Sequence, residues 1–186
     1  MKTALFSTII IAFFSFSANA MAINVHYDMP VFNSTGSIKA DVGDTAGTSS
    51  LAGWLTLYYD LKNALVSGDA VSAANKAGAL LKAINGTDPK TLPAAEQKAL
   101  TALQPKLSYD ARHISEVQDI HHQREHFANL SLNMYALAKA TRLSTQPIYK
   151  DYCPMKKTYW LSSESAIKNP YFGSQMLTCG QVKETL

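Results

Sequence analysis

The sequence is poor in cysteine and in charge, and each shortage removes a class of protein. Two cysteines stand among 186 residues, too few for a scaffold held by several disulfides or for a four-thiolate zinc site. Charged residues make up only 17% of the chain and the formal net charge is +3. With no long Lys/Arg run and no basic stripe interleaved with aromatics, a nucleic-acid partner is not expected. Beyond the first twenty residues nothing approaches the ~20 apolar residues of a spanning helix, so no membrane span is expected. Catalytic signatures are missing too. There is no Glu-x-x-His pair of a di-iron bundle, no His-Glu-x-x-His, no Gly-x-Ser-x-Gly elbow and no glycine-rich phosphate loop. These absences point to a binding protein and away from an enzyme.

What is present begins with an export signal. Lys2 precedes the apolar run from Ala4 to Phe14, and Ala18-Asn19-Ala20 places small residues where a signal peptidase reads them. Residues 1 to 20 are expected to be a cleaved signal peptide, and the mature protein to be periplasmic or secreted. Residues 21 to 48, with Pro30, Gly36, Gly43 and Gly47 and no hydrophobic period, read as a flexible leader. His26 and Met29 lie there, in what reads as a chance pairing.

From residue 49 onward the pattern is helical and predicts an all-α fold, an up-and-down antiparallel four-helix bundle. Leu51, Trp54, Tyr58, Leu61 and Leu65 outline a first helix that stops at Ser67-Gly68-Asp69. Asp69 then caps a second, alanine-rich helix ending at Asn85-Gly86. A third starts near Pro93 and is expected to break near Pro105. The fourth is expected to open at Ser108 and run unbroken to about Thr141, with His113, Val117, Ile120, Arg124, Phe127, Ser131 and Met134 on its inward seam. After about residue 147 the period vanishes. The remaining segment, rich in Tyr, Trp and Phe, is expected to form an irregular cap packed on the bundle.

The cap holds Cys153-Pro154-Met155 and Met176-Leu177-Thr178-Cys179. Four sulfur donors of this kind select a soft ion, Cu(I) before others. Cys153, Met155, Met176 and Cys179 are therefore candidate ligands, with His113 as a nitrogen donor from the seam. A second reading of the same residues is a Cys153–Cys179 disulfide that locks the cap, worth roughly 3 kcal/mol by the chain-entropy argument, which would make the bundle an interaction module of the cell envelope without metal. His122 and His126 are one turn apart and suited to share an ion, but their neighbours Gln118, Glu125 and Asn129 make a solvated face the better reading. Arg124, on the seam, is read as a structural clamp that needs a carboxylate (Asp60 or Asp119) or cap carbonyls.

Several runs together resemble a known family. They are Tyr59-Asp60-Leu61-Lys62-Asn63-Ala64-Leu65 with Gly68-Asp69, Asp119-Ile120 with Gln123-Arg124 and Phe127, and Leu130-Ser131 with Met134-Tyr135. In the cap they are Tyr152-Cys153-Pro154-Met155, Trp160-Leu161-Ser162, Asn169-Pro170-Tyr171-Phe172-Gly173 and Met176-Leu177-Thr178-Cys179-Gly180. Over about residues 50 to 186 the chain resembles a helical domain of unknown function, found alone after a signal peptide or fused to periplasmic adaptors of copper and silver efflux pumps. The resemblance implies copper binding, buffering or delivery to a cation-efflux adaptor or pump, and by residue it points to Cys153, Met155, Met176 and Cys179, with His113. The chain departs from it at Lys156-Lys157-Thr158 and has none of the barrel, lipoyl or hairpin portions of an adaptor.

Overall fold

The computed structural model of the protein describes residues 49–186. The expected signal peptide, the leader and the His26–Met29 pair lie outside the described residues. Four α-helices come first: α1 (Ala52–Ser67), α2 (Ala70–Asn85), α3 (Ala94–Glu116) and α4 (Ile120–Ala140). Each packs on its neighbour in sequence, and α1 and α2 also touch α4. Their shared core takes Trp54, Tyr58, Leu61 and Leu65 from α1, Leu80 and Ile84 from α2, Leu107 and Ile114 from α3, and Phe127, Leu130 and Met134 from α4, all buried.

The first two boundaries follow local chemistry. Gly68 ends α1 in the left-handed conformation at φ 76°, where its N–H reaches the closing turn. The Asp69 side chain then accepts from the Ser72 N–H and starts α2.

The boundary between the third and fourth helices is not where the proline was expected to put it. Pro105 lies inside α3, on its exposed face, and the helix continues for eleven residues to Glu116. Leu107, Ala111 and Ile114 are fully buried beyond it, and this packing outweighs the roughly 3 kcal/mol that an interior proline costs. Ser108, expected to open the last helix, sits within α3 and donates to Asn85 Oδ1 at 2.8 Å.

The break falls instead at residues 117–119. Asp119 accepts from the N–H groups of His121 (2.8 Å) and His122 (3.4 Å), while Gln123 Nε2 donates to the carbonyls of Val117 (2.8 Å), Ile114 (3.3 Å) and Ala70 (2.9 Å). One side chain starts the new helix and another closes the old one.

The cap is not irregular. It is a three-stranded antiparallel sheet of β1 (Tyr149–Cys153), β2 (Thr158–Ser162) and β3 (Gln181–Thr185) in the order β2-β1-β3, so the chain is helical with an appended sheet and not all-α. Its inner face is carried by Asp151 and Cys153 on β1 and by Thr158, Trp160 and Ser162 on β2. An aspartate on the buried side hides the period-two alternation that marks a strand. Tyr58 joins the sheet to the helices: its hydroxyl accepts from the Leu161 N–H at 3.0 Å and lies 2.7 Å from Ser131 Oγ.

Candidate functional site

Breaking the long helix at residues 117–119 changes what His113 faces. It is no longer upstream of His122 and His126 on one rod, but in the last turn of α3, across from the first turns of α4. One donor atom from each of His113, His122 and His126 lies within 4.8 Å of the other two. The rings of His113 and His126 stack with centroids 4.5 Å apart and planes 7° from parallel. The His122 ring is 4.8 Å from that of His126 and 6.4 Å from that of His113. All three side chains are half-buried, so His122 and His126 do not belong to the fully solvated face expected of them.

Two neighbours hold the triad in place. Asp110, one turn before His113 on α3, is buried and places Oδ1 3.0 Å from His126 Nδ1. Burial pushes the Asp110 carboxyl above its usual range, and the hydrogen bond to His126 works against that shift. Tyr109 lies against the His113 ring at 4.4 Å and the His126 ring at 5.8 Å. A carboxylate on Nδ1 fixes which imidazole nitrogen is left to bind something else, the arrangement that commonly backs a metal-ligating histidine.

The cap sulfurs are placed differently. Cys153 and Cys179 are both free thiols. Cys153 is fully buried, and its sulfur accepts from Asn169 Nδ2 at 3.3 Å and from the Lys156 N–H at 3.4 Å. The same Asn169 amide donates to the Cys179 carbonyl at 2.7 Å, so it ties the two cysteine segments together through hydrogen bonds. Met155 and Met176 are 61% and 38% exposed. Among the described residues, the one group of three or more His, Cys, Asp or Glu donors close enough for a single ion is the histidine triad.

Arg124 is buried, and its partners are carbonyls. Nε donates to Pro170 at 2.9 Å and Nη2 to Leu65 at 3.0 Å, joining α4 to α1 and to the segment before Gly173. Asp60 pairs instead with Lys76 at 3.2 Å, and Asp119 caps α4.

Residues 55–146, from α1 through the end of α4, match the family model described as Protein of unknown function (DUF3347). The chain carries a helical domain of unknown function, and all three triad histidines lie within the matched residues, whereas the sheet lies beyond them. No curated protein and no solved structure matches the chain.

The sequence pattern does not disclose the triad, because on a continuous helix from Ser108 to Thr141 His113 stands more than two turns from His122 and His126. The available signal was Asp119. Asp is a favoured N-cap residue, and a helix start at Asp119, before Ile120-His121-His122, folds His113 back toward residues 122 and 126.

Proposed function

We propose that this protein is a metal-binding protein that holds a transition-metal ion, copper or zinc, through His113, His122 and His126. The observation that carries this reading is the convergence of three imidazoles from two helices, with Asp110 bound to the Nδ1 of one of them. Imidazole donors suit Zn(II) and Cu(II), and Cu(II) is held most tightly of the common divalent ions. Two nitrogens on one ion at about 2.0–2.1 Å stand no more than about 4.2 Å apart. The triad therefore closes on an ion by small ring rotations, which half-buried side chains permit.

The export signal and the resemblance to copper and silver efflux adaptors favour copper, and a role in buffering the ion in the periplasm or passing it to an efflux system. An up-and-down arrangement of the helices suits this role, since it sets the α3–α4 link and its histidines at one end of a rigid bundle. The donor set here is nitrogen, not the sulfur of Cys153, Met155, Met176 and Cys179, and it belongs with the divalent ion. Binding, without catalysis, is the proposed activity.

Titration of the purified mature protein with Cu(II), followed by electron paramagnetic resonance and calorimetry, is expected to show one equivalent bound with nitrogen hyperfine structure. The triple variant His113→Ala/His122→Ala/His126→Ala is expected to lose it. No stoichiometric uptake by the wild type, or equal uptake by the triple variant, would overturn the assignment.

A further inference from the structure

A buried guanidinium requires counter-charge or a full set of acceptors, and Arg124 has neither among the described residues. It is only 9% exposed, yet it makes no salt bridge among them, and its two hydrogen bonds go to neutral carbonyls. A guanidinium has five N–H donors; Nε and Nη2 of Arg124 each use one on a carbonyl, and Nη1, without an acceptor among the described residues, is not one of the enclosed unpaired atoms, so it is open to whatever enters beside it. Burial correspondingly lowers its pKa, with no nearby acid to offset the effect.

The side chain borders a cavity of about 180 Å³ between α4 and the cap, whose wall also includes His121, Lys156, Tyr171, Phe172 and Gln175. Lys156 comes from the β1–β2 turn, His121 from the first turn of α4, and the two aromatics from the segment before Gly173. Glu125 lies at the same rim but is exposed and makes no ion pair with Arg124 among the described residues. The buried Arg124 and the exposed Lys156, His121 and Gln175 thus border a space of small-ion size with aromatic walls.

Gly173 keeps the guanidinium in this position. A Cβ there would stand 2.7 Å from Arg124 Nη2 and 2.9 Å from the Val66 carbonyl. The backbone at Gly173 therefore packs directly against the guanidinium and leaves no room for a side chain between them.

We propose that the cavity is a binding site for a small oxyanion, a carboxylate or a phosphate, which supplies the counter-charge Arg124 lacks. The planar fork of Arg124 presents paired donors to two oxygens, as arginine commonly does toward both anions. Lys156 adds a point charge, and Gln175 and His121 add donors from the rim. The site is separate from the histidine triad and does not depend on a metal.

The test is an NMR titration of the full mature chain at pH 7 with inorganic phosphate and, separately, with acetate at matched ionic strength. The readouts are the Arg124 Nε–H signal and the backbone amides of Lys156 and Gln175. One of the two anions is expected to produce a saturable shift at these positions, and the anion that does so identifies the class. Replacing both rim residues, Lys156→Ala with His121→Ala, leaves the buried clamp untouched and is expected to weaken that binding about tenfold, the size of one charge-assisted hydrogen bond lost. Absence of a saturable shift with both anions, or undiminished binding in the rim double variant, would overturn the proposal.

Discussion

His126 Nδ1 and Asp110 Oδ1 lie 3.0 Å apart across the α3–α4 interface, sixteen residues apart in sequence. The pair does what neither residue does alone. The buried carboxylate acquires a hydrogen-bonded partner, and the imidazole acquires a fixed orientation with its second nitrogen left available.

If Asp110 positions a metal ligand, its removal affects affinity more than fold. Asp110→Ala is expected to weaken Cu(II) binding about 10- to 100-fold, the range usual for losing the residue behind a ligating histidine. Asp110→Asn keeps an acceptor oxygen at the same place and is expected to recover part of the loss. Competitive titration against a chelator of known affinity measures both, with circular dichroism as the check on folding. Equal affinity in Asp110→Ala and wild type would remove Asp110 from the site.

Asp151 makes a prediction about pH. It is fully buried on the inner face of β1, opposite Trp160 across the ladder, and neither carboxylate oxygen has a hydrogen-bond partner among the described residues. Burial raises its pKa from the ordinary 3.8 to about 6, and Lys62 lowers it somewhat. A raised carboxyl pKa means that the native state holds the proton more tightly than the unfolded chain. Its contribution is therefore most favourable below about pH 4 and is lost as pH rises through 6. Asp151→Asn, a neutral replacement of the same shape, is expected to match the wild type near pH 4 and to exceed it at pH 7 by up to about 3 kcal/mol. Urea unfolding of both proteins at the two pH values checks the difference, and equal stability at pH 7 would show that Asp151 is not held in this state.

Gly173 is expected to tolerate no side chain. Its φ of 56° lies in the left-handed region, and a Cβ would come within 3 Å of both Arg124 and the Val66 carbonyl. Gly173→Ala therefore combines backbone strain with displacement of a buried clamp and is expected to cost about 1–3 kcal/mol or more. Gly53, with ordinary helical backbone and nothing within 4 Å of the place a Cβ would take, is the control: Gly53→Ala is expected to stabilise by up to about 1 kcal/mol. Thermal unfolding of the two variants side by side tests the contrast.

The legible parts of the fold are those in which local pattern and tertiary packing agree. α1 and α2 have apolar residues at three- and four-residue steps, and Gly68 and Asp69 at their junction suit only a helix end and a helix start. Where the two levels conflict, the local reading fails. Pro105 is the strongest breaker in its neighbourhood, but Leu107, Ala111 and Ile114 beyond it are bound into the core. The cap strands are short and hold a buried aspartate, so their alternation does not stand out against the aromatic content.

By itself the sequence determined the helical character of residues 50 to 140, the first two helix boundaries and the stock of donors, because these depend on residue types and on contacts within a few positions. It determined as well that no described helix is apolar and long enough to cross a membrane. Only the tertiary structure decided which donors meet. His113 joins His122 and His126 because Asp119 and Gln123 turn the chain between them, and Arg124 faces a cavity because Gly173 lets the cap backbone come close. Both outcomes depend on side chains that satisfy backbone groups belonging to other elements, and such long-range pairing leaves no periodic trace in the order of residues.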